Sequence, residues 1–291
     1  SWRWIFWINP PIVVLIATIS IVTWRDVERP PRTAIDWLGL VLIAAGMFAV
    51  VFALMEAGAL GWGNPVILGL FALGLALIYL FARLELAIPH PLIEVSLFKD
   101  LVVTACNLVS FLTQYSKMQL YIFAALYAQR ELGFTAFEAG IIVFMAALLQ
   151  PVISPVSGRF ADRLPPRKLI FFGLSTMTIS MLLLTTSVLL GNIYVLGGGL
   201  LIAGAAIPFL FIAPRMRVVS ALPAYKHGEA SSVIMAAQMI GGTVGLAVSS
   251  AVYAASGAFA PIFAVSALLG FLVLVFCLLA FRAEAIPAAE N

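Results

Sequence analysis

Residues 157–169, SGRFADRLPPRKL, hold five charged side chains and a Pro-Pro pair between two long apolar runs. Charge is scarce in the chain as a whole, because only 10% of its 291 residues are charged and 63% are hydrophobic. Soluble domains are about half apolar and about one quarter charged. A soluble protein of this size could not bury so much apolar surface. The composition therefore predicts a polytopic membrane protein, and the charged stretch predicts a connection between two of its spans.

On either side of that connection, nine apolar runs are long enough to cross a bilayer as helices, which requires about 20 residues. Only helices and closed barrels satisfy the backbone in lipid, and long runs without alternating polarity indicate helices. The predicted spans are 4–24, 37–55, 66–82, 101–128, 140–156, 169–190, 193–213, 230–255 and 261–281. The predicted fold class is all-α, with nine transmembrane helices, and the short connections make neighbouring helices antiparallel.

The basic residues predict which side of the membrane each connection occupies. Thirteen Lys and Arg residues fall on one set of alternate connections, two fall on the other set, and Lys117 is left inside a span. Cytoplasmic loops carry the excess of Lys and Arg. We therefore predict a multi-pass protein of the inner or plasma membrane, with the 157–169 connection and the C-terminus in the cytoplasm.

The sequence offers no support for the chemistry of a soluble enzyme. Its two cysteines and two histidines form no metal-ligand cluster, and no nucleophile or phosphate-binding motif is present. No basic stripe with interleaved aromatic residues indicates nucleic acid. We predict that the protein is not an enzyme, binds no cofactor, metal or nucleic acid, and has the lipid bilayer as a partner.

The charged connection resembles a family signature. It resembles G-x-x-x-D-R-x-G-R-[KR], which marks the loop between the second and third helix of each half of the major facilitator superfamily. Pro165 stands in place of the second glycine and Pro166 in place of the arginine that follows it. The matching residues are Gly158, Asp162, Arg163, Arg167 and Lys168. This resemblance implies a gating loop that latches the cytoplasmic side. Gly158 lets two helix ends approach, and Asp162 accepts from Arg side chains or from the N–H groups that open the next helix. The alternative is charge that only sets topology.

Further segments resemble the fourteen-helix drug:proton antiporters of the EmrB/QacA type within that superfamily. They are SWRWIFWIN at 1–9, DWLGLVLIAAG at 36–46, GWGNP at 61–65, PLIEVSLFKD at 91–100 and GEASSVIMAAQMIGGTVGLAV at 228–248. The resemblance covers nearly the whole chain and implies a C-terminal fragment. Its implied parts are the last helix of the N-terminal half (1–30), two linker transmembrane helices (31–95), the C-terminal six-helix bundle (96–285) and a cytoplasmic tail (286–291).

By the same resemblance, the implied function is proton-coupled efflux of amphiphilic drugs or related small molecules by alternating access. The implied partners are a small-molecule substrate, protons and the missing N-terminal half of the same protein. Two alternatives remain open. One is an exporter of a specific metabolite, and the other is an inactive or truncated membrane scaffold.

The fourth predicted span has a polar face. Its polar residues are Asn107, Ser110, Gln114, Lys117 and Tyr121. Their spacing of 3, 4, 3 and 4 residues confines them to about 80° of a helix surface at 100° per residue. Polar and charged groups inside a span usually face a cavity or the bundle interior. We predict that this face lines the substrate path, which suits an anionic or amphiphilic substrate. The alternative is that Lys117 snorkels or pairs with a carboxylate.

Two glutamines and a small-residue track extend the list of candidate residues. Gln150 precedes Pro151 and either stabilises a kink or contacts substrate. Gln238 is a second candidate for the substrate path. On its face of the helix lies a small-xxx-small track for helix packing, formed by Gly241, Gly245 and Ser249.

One carboxylate is a candidate for proton coupling. Coupling requires an acidic residue that burial keeps protonated near neutral pH. Glu56 lies at the extracellular end of the second predicted span. Its position in a linker helix argues against this role, and the resemblance places coupling carboxylates more commonly in the N-terminal half.

Overall fold

A computed structural model describes residues 3–23, 36–88, 98–220 and 227–285. The α-helices in these ranges are α1 Trp4–Trp7, α2 Asn9–Thr23, α3 Trp37–Leu60, α4 Pro65–Glu85, α5 Leu101–Arg130, α6 Ala136–Leu148, α7 Gln150–Arg163, α8 Pro166–Leu190, α9 Ile193–Ser220, α10 His227–Ser256 and α11 Ala260–Ala285. The predicted all-α fold class is confirmed. The predicted tail at 286–291 lies outside the described residues.

The chain divides into two compact units, Ser1–Ile35 and Asp36–Asn291. In the first unit, the predicted span 4–24 is interrupted, because α1 ends at Trp7 and α2 begins at Asn9. Pro10 and Pro11 lack backbone N–H groups, so they cannot continue the hydrogen bonds of the preceding turn. α2 has 15 residues and extends to Thr23, the last described residue of this unit.

Seven helical stretches in the described part of the chain are long and apolar enough to cross a membrane. They are Trp37–Gly58, Pro65–Glu85, Ala136–Arg163, Pro166–Leu190, Ile193–Ser220, Ser231–Ser256 and Ala260–Arg282. Each corresponds to one of the nine predicted spans, so this is a multi-pass membrane protein. α5 is also long, at 30 residues, but it is less apolar because polar side chains fill one of its faces. It is the best buried of the helices, and it packs against α6, α9, α10 and α11.

α3 and α4 form a tight hairpin. A Cβ atom at Gly74 would lie 2.8 Å from the Gly46 carbonyl oxygen, so the two helix backbones are nearly in contact at these glycines. The turn is fixed by Asn64, whose side chain accepts from the Val66 N–H at 2.9 Å, and by a proline at the first helical position of α4. The α3 side of the hairpin packs against α10.

The remaining helices surround a common apolar core. α8 packs against α9 and α11, and α5 packs against α9, α10 and α11. Fully buried aromatic residues fill the centre, among them Tyr115, Tyr127, Phe259 and Phe263. The Tyr127 and Phe259 rings meet edge to face with centroids 5.8 Å apart.

The charged stretch is more helical than predicted. The prediction placed residues 157–168 in a connection, but α7 continues to Arg163 and α8 begins at Pro166. The link consists of Leu164 and Pro165, both with extended backbone. A residue before proline is disfavoured in the α conformation, and a proline is well suited to the first position of a helix. The Pro-Pro pair therefore determines the turn, and the charges lie on the two helix ends.

Candidate functional site

The polar face of α5 lies inside the helical unit. Asn107 and Ser110 are 4% and 0% exposed, and Gln114, Lys117 and Tyr121 are partly buried. The helix begins at an Asp100 cap, whose carboxylate accepts from the Val102 N–H at 2.8 Å. The polar face contacts three neighbouring elements. Gln114 approaches α10, Lys117 approaches α9, and Tyr121 contacts the α6–α7 junction.

Lys117 lies among aromatic rings. Its Nζ is 5.1 Å from the centre of the Phe211 ring of α9 and 6.0 Å from the centre of the Tyr121 ring. An ammonium within about 6 Å of a ring centre is attracted to the ring face. Among the described residues no carboxylate is within ion-pair distance of Lys117, so the alternative of a structural ion pair is not realised there. Phe211 was not predicted as a site residue, because an aromatic residue in an apolar span usually faces the core or the lipid.

Gln150 joins the α6–α7 junction to the polar face. Its Nε2 donates to the Tyr121 hydroxyl at 2.6 Å and to the Ala146 carbonyl at 3.0 Å. α6 ends at Leu148, and Pro151 lacks the N–H that would continue the helix. The same amide therefore stabilises the break and contacts the predicted substrate path.

Three consecutive members of the polar face have unmet hydrogen-bonding capacity. The buried atoms are Asn107 Oδ1, Ser110 Oγ and Gln114 Oε1, and none has a partner among the described residues. The Asn107 Nδ2 donates back to the Val103 carbonyl at 3.0 Å. Leaving a buried polar atom without a partner costs about 1–3 kcal/mol. A face with three such atoms and an ammonium suits a bound polar group.

The glycine track of α10 lies against α5. A Cβ at Gly241 would overlap the Phe111 carbonyl oxygen, and one at Gly245 would lie 2.9 Å from the Tyr115 Cα. One further glycine, Gly242, approaches the Gln114 side chain. Gln238 is buried one turn before Gly241, and within the described residues no hydrogen bond joins it to the polar face.

Ser249 belongs to a polar cluster that the sequence reasoning missed. The Ser249 hydroxyl donates to the Gly245 carbonyl at 2.6 Å and accepts from the Gln119 Nε2 at 2.7 Å. The Ser266 hydroxyl of α11 donates to the Gln119 Oε1. Gln119 is 0% exposed and lies outside the 80° face, which is why spacing alone did not select it. The sequence feature that could have identified Gln119 is its amide in the middle of a predicted span, where polar groups are costly.

The predicted latch residues lie at the ends of α7 and α8, and the described residues contain no latch. Asp162, Arg163, Arg167 and Lys168 are exposed, and no hydrogen bond or ion pair of Asp162 is found in the described part of the chain. The expectation that Asp162 caps the next helix is wrong, because α8 has no side-chain cap and opens with a proline that lacks an N–H. A Cβ at Gly158 would meet no atom within 4 Å, so no close approach among these residues requires glycine there.

Two carboxylates lie in the α3–α4 hairpin. Glu56 is partly buried near the end of α3 and remains a predicted coupling residue. The prediction named Glu56 as the only acidic residue at the edge of a span, but Glu85 also lies at the end of a membrane-length helix. The predicted span ended at residue 82, whereas α4 continues to Glu85, which is 3% exposed. Its Oε1 and the Asp36 carboxylate both adjoin Gly39.

The chain is similar to known proteins over most of its length. A family model described as Major Facilitator Superfamily matches residues 104–291. The lincomycin resistance protein LmrB of Listeria monocytogenes is 27% identical, over 88% of this chain and 54% of that protein. The multidrug resistance protein Stp of Mycobacterium tuberculosis is 30% identical, over 88% of this chain and 47% of that protein. The tetracenomycin C resistance and export protein of Streptomyces glaucescens is 26% identical, over 85% and 46%. The chain spans about half the length of these relatives.

Proposed function

The chain belongs to the major facilitator superfamily, and from that membership we propose that it forms part of a secondary transporter that exports amphiphilic small molecules. Relatives that bear the names of lincomycin, tetracenomycin C and multidrug resistance support an export role over an enzymatic one. We include proton coupling and alternating access in the proposal, with a cytoplasmic C-terminus. Glu56 is its candidate coupling residue.

The observation that carries this proposal is the position of Lys117. Its ammonium lies over the Phe211 and Tyr121 rings, next to buried amide and hydroxyl oxygens without partners in the described structure. An amphiphile fits such a surface because its apolar body packs on the rings while an anionic or strongly polar group neutralises the ammonium. A cationic compound would meet repulsion from Lys117. The proposed substrate class is therefore anionic or zwitterionic amphiphiles.

A complete transport site requires a second set of helices. In this family the substrate lies near the membrane midplane between two halves that rock against each other. We propose that a second six-helix half completes the site opposite the polar face of α5. The experiment must therefore use the full gene product.

The test is efflux by the full gene product in a bacterial host that lacks its own drug exporters. The panel contains anionic, neutral and cationic fluorescent amphiphiles of matched size. Lys117→Met removes the ammonium with little change in volume, and Lys117→Arg is the matched control that keeps the charge. We expect Lys117→Met to lower efflux of the anionic compounds about tenfold or more, since a charge-assisted contact contributes about 1.5–3 kcal/mol, with Lys117→Arg in between.

An unchanged efflux profile for Lys117→Met, at normal protein levels in the membrane, would overturn the role of Lys117. Absence of efflux for every compound would favour the scaffold alternative. A specific metabolite exporter is the second candidate, favoured by three adjacent oxygens that could match one fixed hydrogen-bond pattern. It predicts transport of one compound and rejection of its close analogues.

A further inference from the structure

A cavity lies between the α3–α4 hairpin and the pair α5 and α10. Its volume is about 410 Å³, and all four helices contribute to its wall. The hairpin is in close contact with α10 at one end, where a Cβ at Gly58 would lie 3.2 Å from the Ala254 Cβ. At the other end, Ile43, Phe81 and Ala236 line the cavity.

The cavity wall is mostly apolar, and among its described lining residues Asn107 has a polar side-chain atom without a hydrogen-bond partner. Phe81, Phe111 and Ile240 are typical of its lining, and no charged side chain is among the described residues that line it. Thr104 also borders the cavity, but its hydroxyl already donates to the Phe98 carbonyl at 2.8 Å. Asn107 is 4% exposed and uses its Nδ2 on the Val103 carbonyl, which leaves its buried Oδ1 without a donor in the described structure.

We propose that this cavity binds a neutral amphiphile, with its apolar body between α4, α5 and α10 and a hydroxyl or amide N–H donated to the Asn107 Oδ1. The volume falls in the range of small-molecule sites, which hold mostly apolar ligands oriented by a few polar groups. A charged group would lose its hydration without gaining a partner from the lining residues, so the site selects against ions. Asn107 belongs to both places, and the absence of a charged side chain among the described lining residues distinguishes the cavity from the surface around Lys117.

Two kinds of neutral amphiphile could occupy the cavity. One is a neutral membrane lipid, such as a diacylglycerol, and the other is an amphiphile dissolved in the bilayer. Both reach the site through the membrane, because the outward faces of the hairpin are apolar and exposed, as at Leu75 and Phe48. The binding site does not depend on the proposed transport function, because its test measures binding alone.

The test is photolabelling of the full gene product in phosphatidylcholine nanodiscs. The probe is a long-chain alkyl alcohol with a diazirine in its chain, and the comparison probes are its methyl ether and its trimethylammonium analogue. We expect saturable labelling of peptides from α4, α5 and α10, with half-saturation about fivefold lower for the alcohol than for the ether, which is the effect of one net hydrogen bond. The trimethylammonium probe should not label these peptides.

Two variants separate the cavity from general lipid contact. Asn107→Leu should abolish the preference for the alcohol over the ether. Ala237→Phe should fill the cavity and remove the labelling, whereas Ala255→Phe, on an exposed part of the same helix, should not. Ala236→Leu adds less volume and replaces Ala237→Phe if that variant does not fold.

Each outcome of the photolabelling experiment either supports or overturns the proposed binding site. Non-saturable labelling, labelling that survives cavity filling, or equal labelling by the cationic probe would overturn it. Displacement of the probe by added diacylglycerol supports the site and identifies a lipid as the occupant. Saturable labelling without such displacement supports the site and identifies bilayer-dissolved amphiphiles.

Discussion

Gln119 is a single side chain that joins three helices. From α5 it donates to the Ser249 hydroxyl of α10 at 2.7 Å and accepts from the Ser266 hydroxyl of α11. All three residues are at most 1% exposed. In a membrane protein the apolar effect between helices is weak, so buried polar contacts and close packing determine how the helices associate.

Replacement of Gln119 by Leu should therefore destabilise the bundle. The change leaves two buried hydroxyls without a shared amide, at an expected cost of about 1–3 kcal/mol in the free energy of unfolding. Thermal unfolding in detergent, followed by tryptophan fluorescence, measures the effect. Gln129→Leu is the matched control, because Gln129 is exposed on the same helix and donates only to the Ala125 carbonyl.

A second comparison distinguishes a polar contact from a volume effect. The triple variant Gln119→Leu, Ser249→Ala, Ser266→Ala removes all three groups and should recover most of the lost stability, because apolar replacement of both partners is nearly neutral. If the triple variant is no more stable than Gln119→Leu, the cluster contributes through packing instead.

At the residue scale, spacing predicted which side chains share the polar face of α5 but not what they contact. Helical periodicity is local, so five residues at spacings of 3 and 4 are readable from the sequence. The approach of Phe211 to Lys117 joins positions 94 residues apart and depends on how α9 packs. The contacts of Gln119 join positions 130 and 147 residues apart, so its partners were not predictable from periodicity.

At the scale of elements, hydropathy located the helices but underestimated their ends. α7, α9 and α4 continue past their predicted spans to Arg163, Ser220 and Glu85. A helix backbone satisfies its own hydrogen bonds whether or not its side chains are apolar, so a loss of hydropathy marks the membrane surface and not the helix end. Pro165 and Pro166 offered a local backbone reason for the turn between α7 and α8, but the prediction followed hydropathy and ended the spans at 156 and 169.

The contact between α5 and α10 yields the prediction at this scale. Gly241→Ala places a methyl group against the Phe111 backbone, which cannot move as a flexible side chain would. We expect a loss of about 1–3 kcal/mol in unfolding free energy, typical of overpacking, measured by the same thermal assay. Gly140→Ala in α6 is the control, since its Cβ meets nothing within 4 Å and the change should stabilise the helix by up to about 1 kcal/mol. Equal effects of the two changes would contradict tight packing at Gly241.

For the whole molecule, the charge distribution predicts the orientation in the membrane. Gln129 is exposed at the predicted outer end of α5, and Arg167 is exposed at the predicted cytoplasmic start of α8. In intact cells an impermeant maleimide should label Gln129→Cys and should label Arg167→Cys only after permeabilisation. The native Cys106 and Cys277 are buried and should contribute little background. Labelling of Arg167→Cys but not of Gln129→Cys in intact cells would indicate the opposite orientation in the membrane.

Asp162 tests whether the molecule cycles between two arrangements of its cytoplasmic side. In the described residues its carboxylate is exposed and has no partner, so a latch involving Asp162 must form in a different arrangement or with a different part of the protein. Asp162→Asn should then leave equilibrium binding of the anionic probe at Lys117 unchanged. It should lower the transport rate of the full gene product about tenfold, because a charge-assisted hydrogen bond contributes about 1.5–3 kcal/mol. Asp162→Glu, which keeps the charge, should transport at an intermediate rate. If Asp162→Asn transports at the normal rate, the charges around 157–169 serve topology alone, and the gate must be closed by other residues.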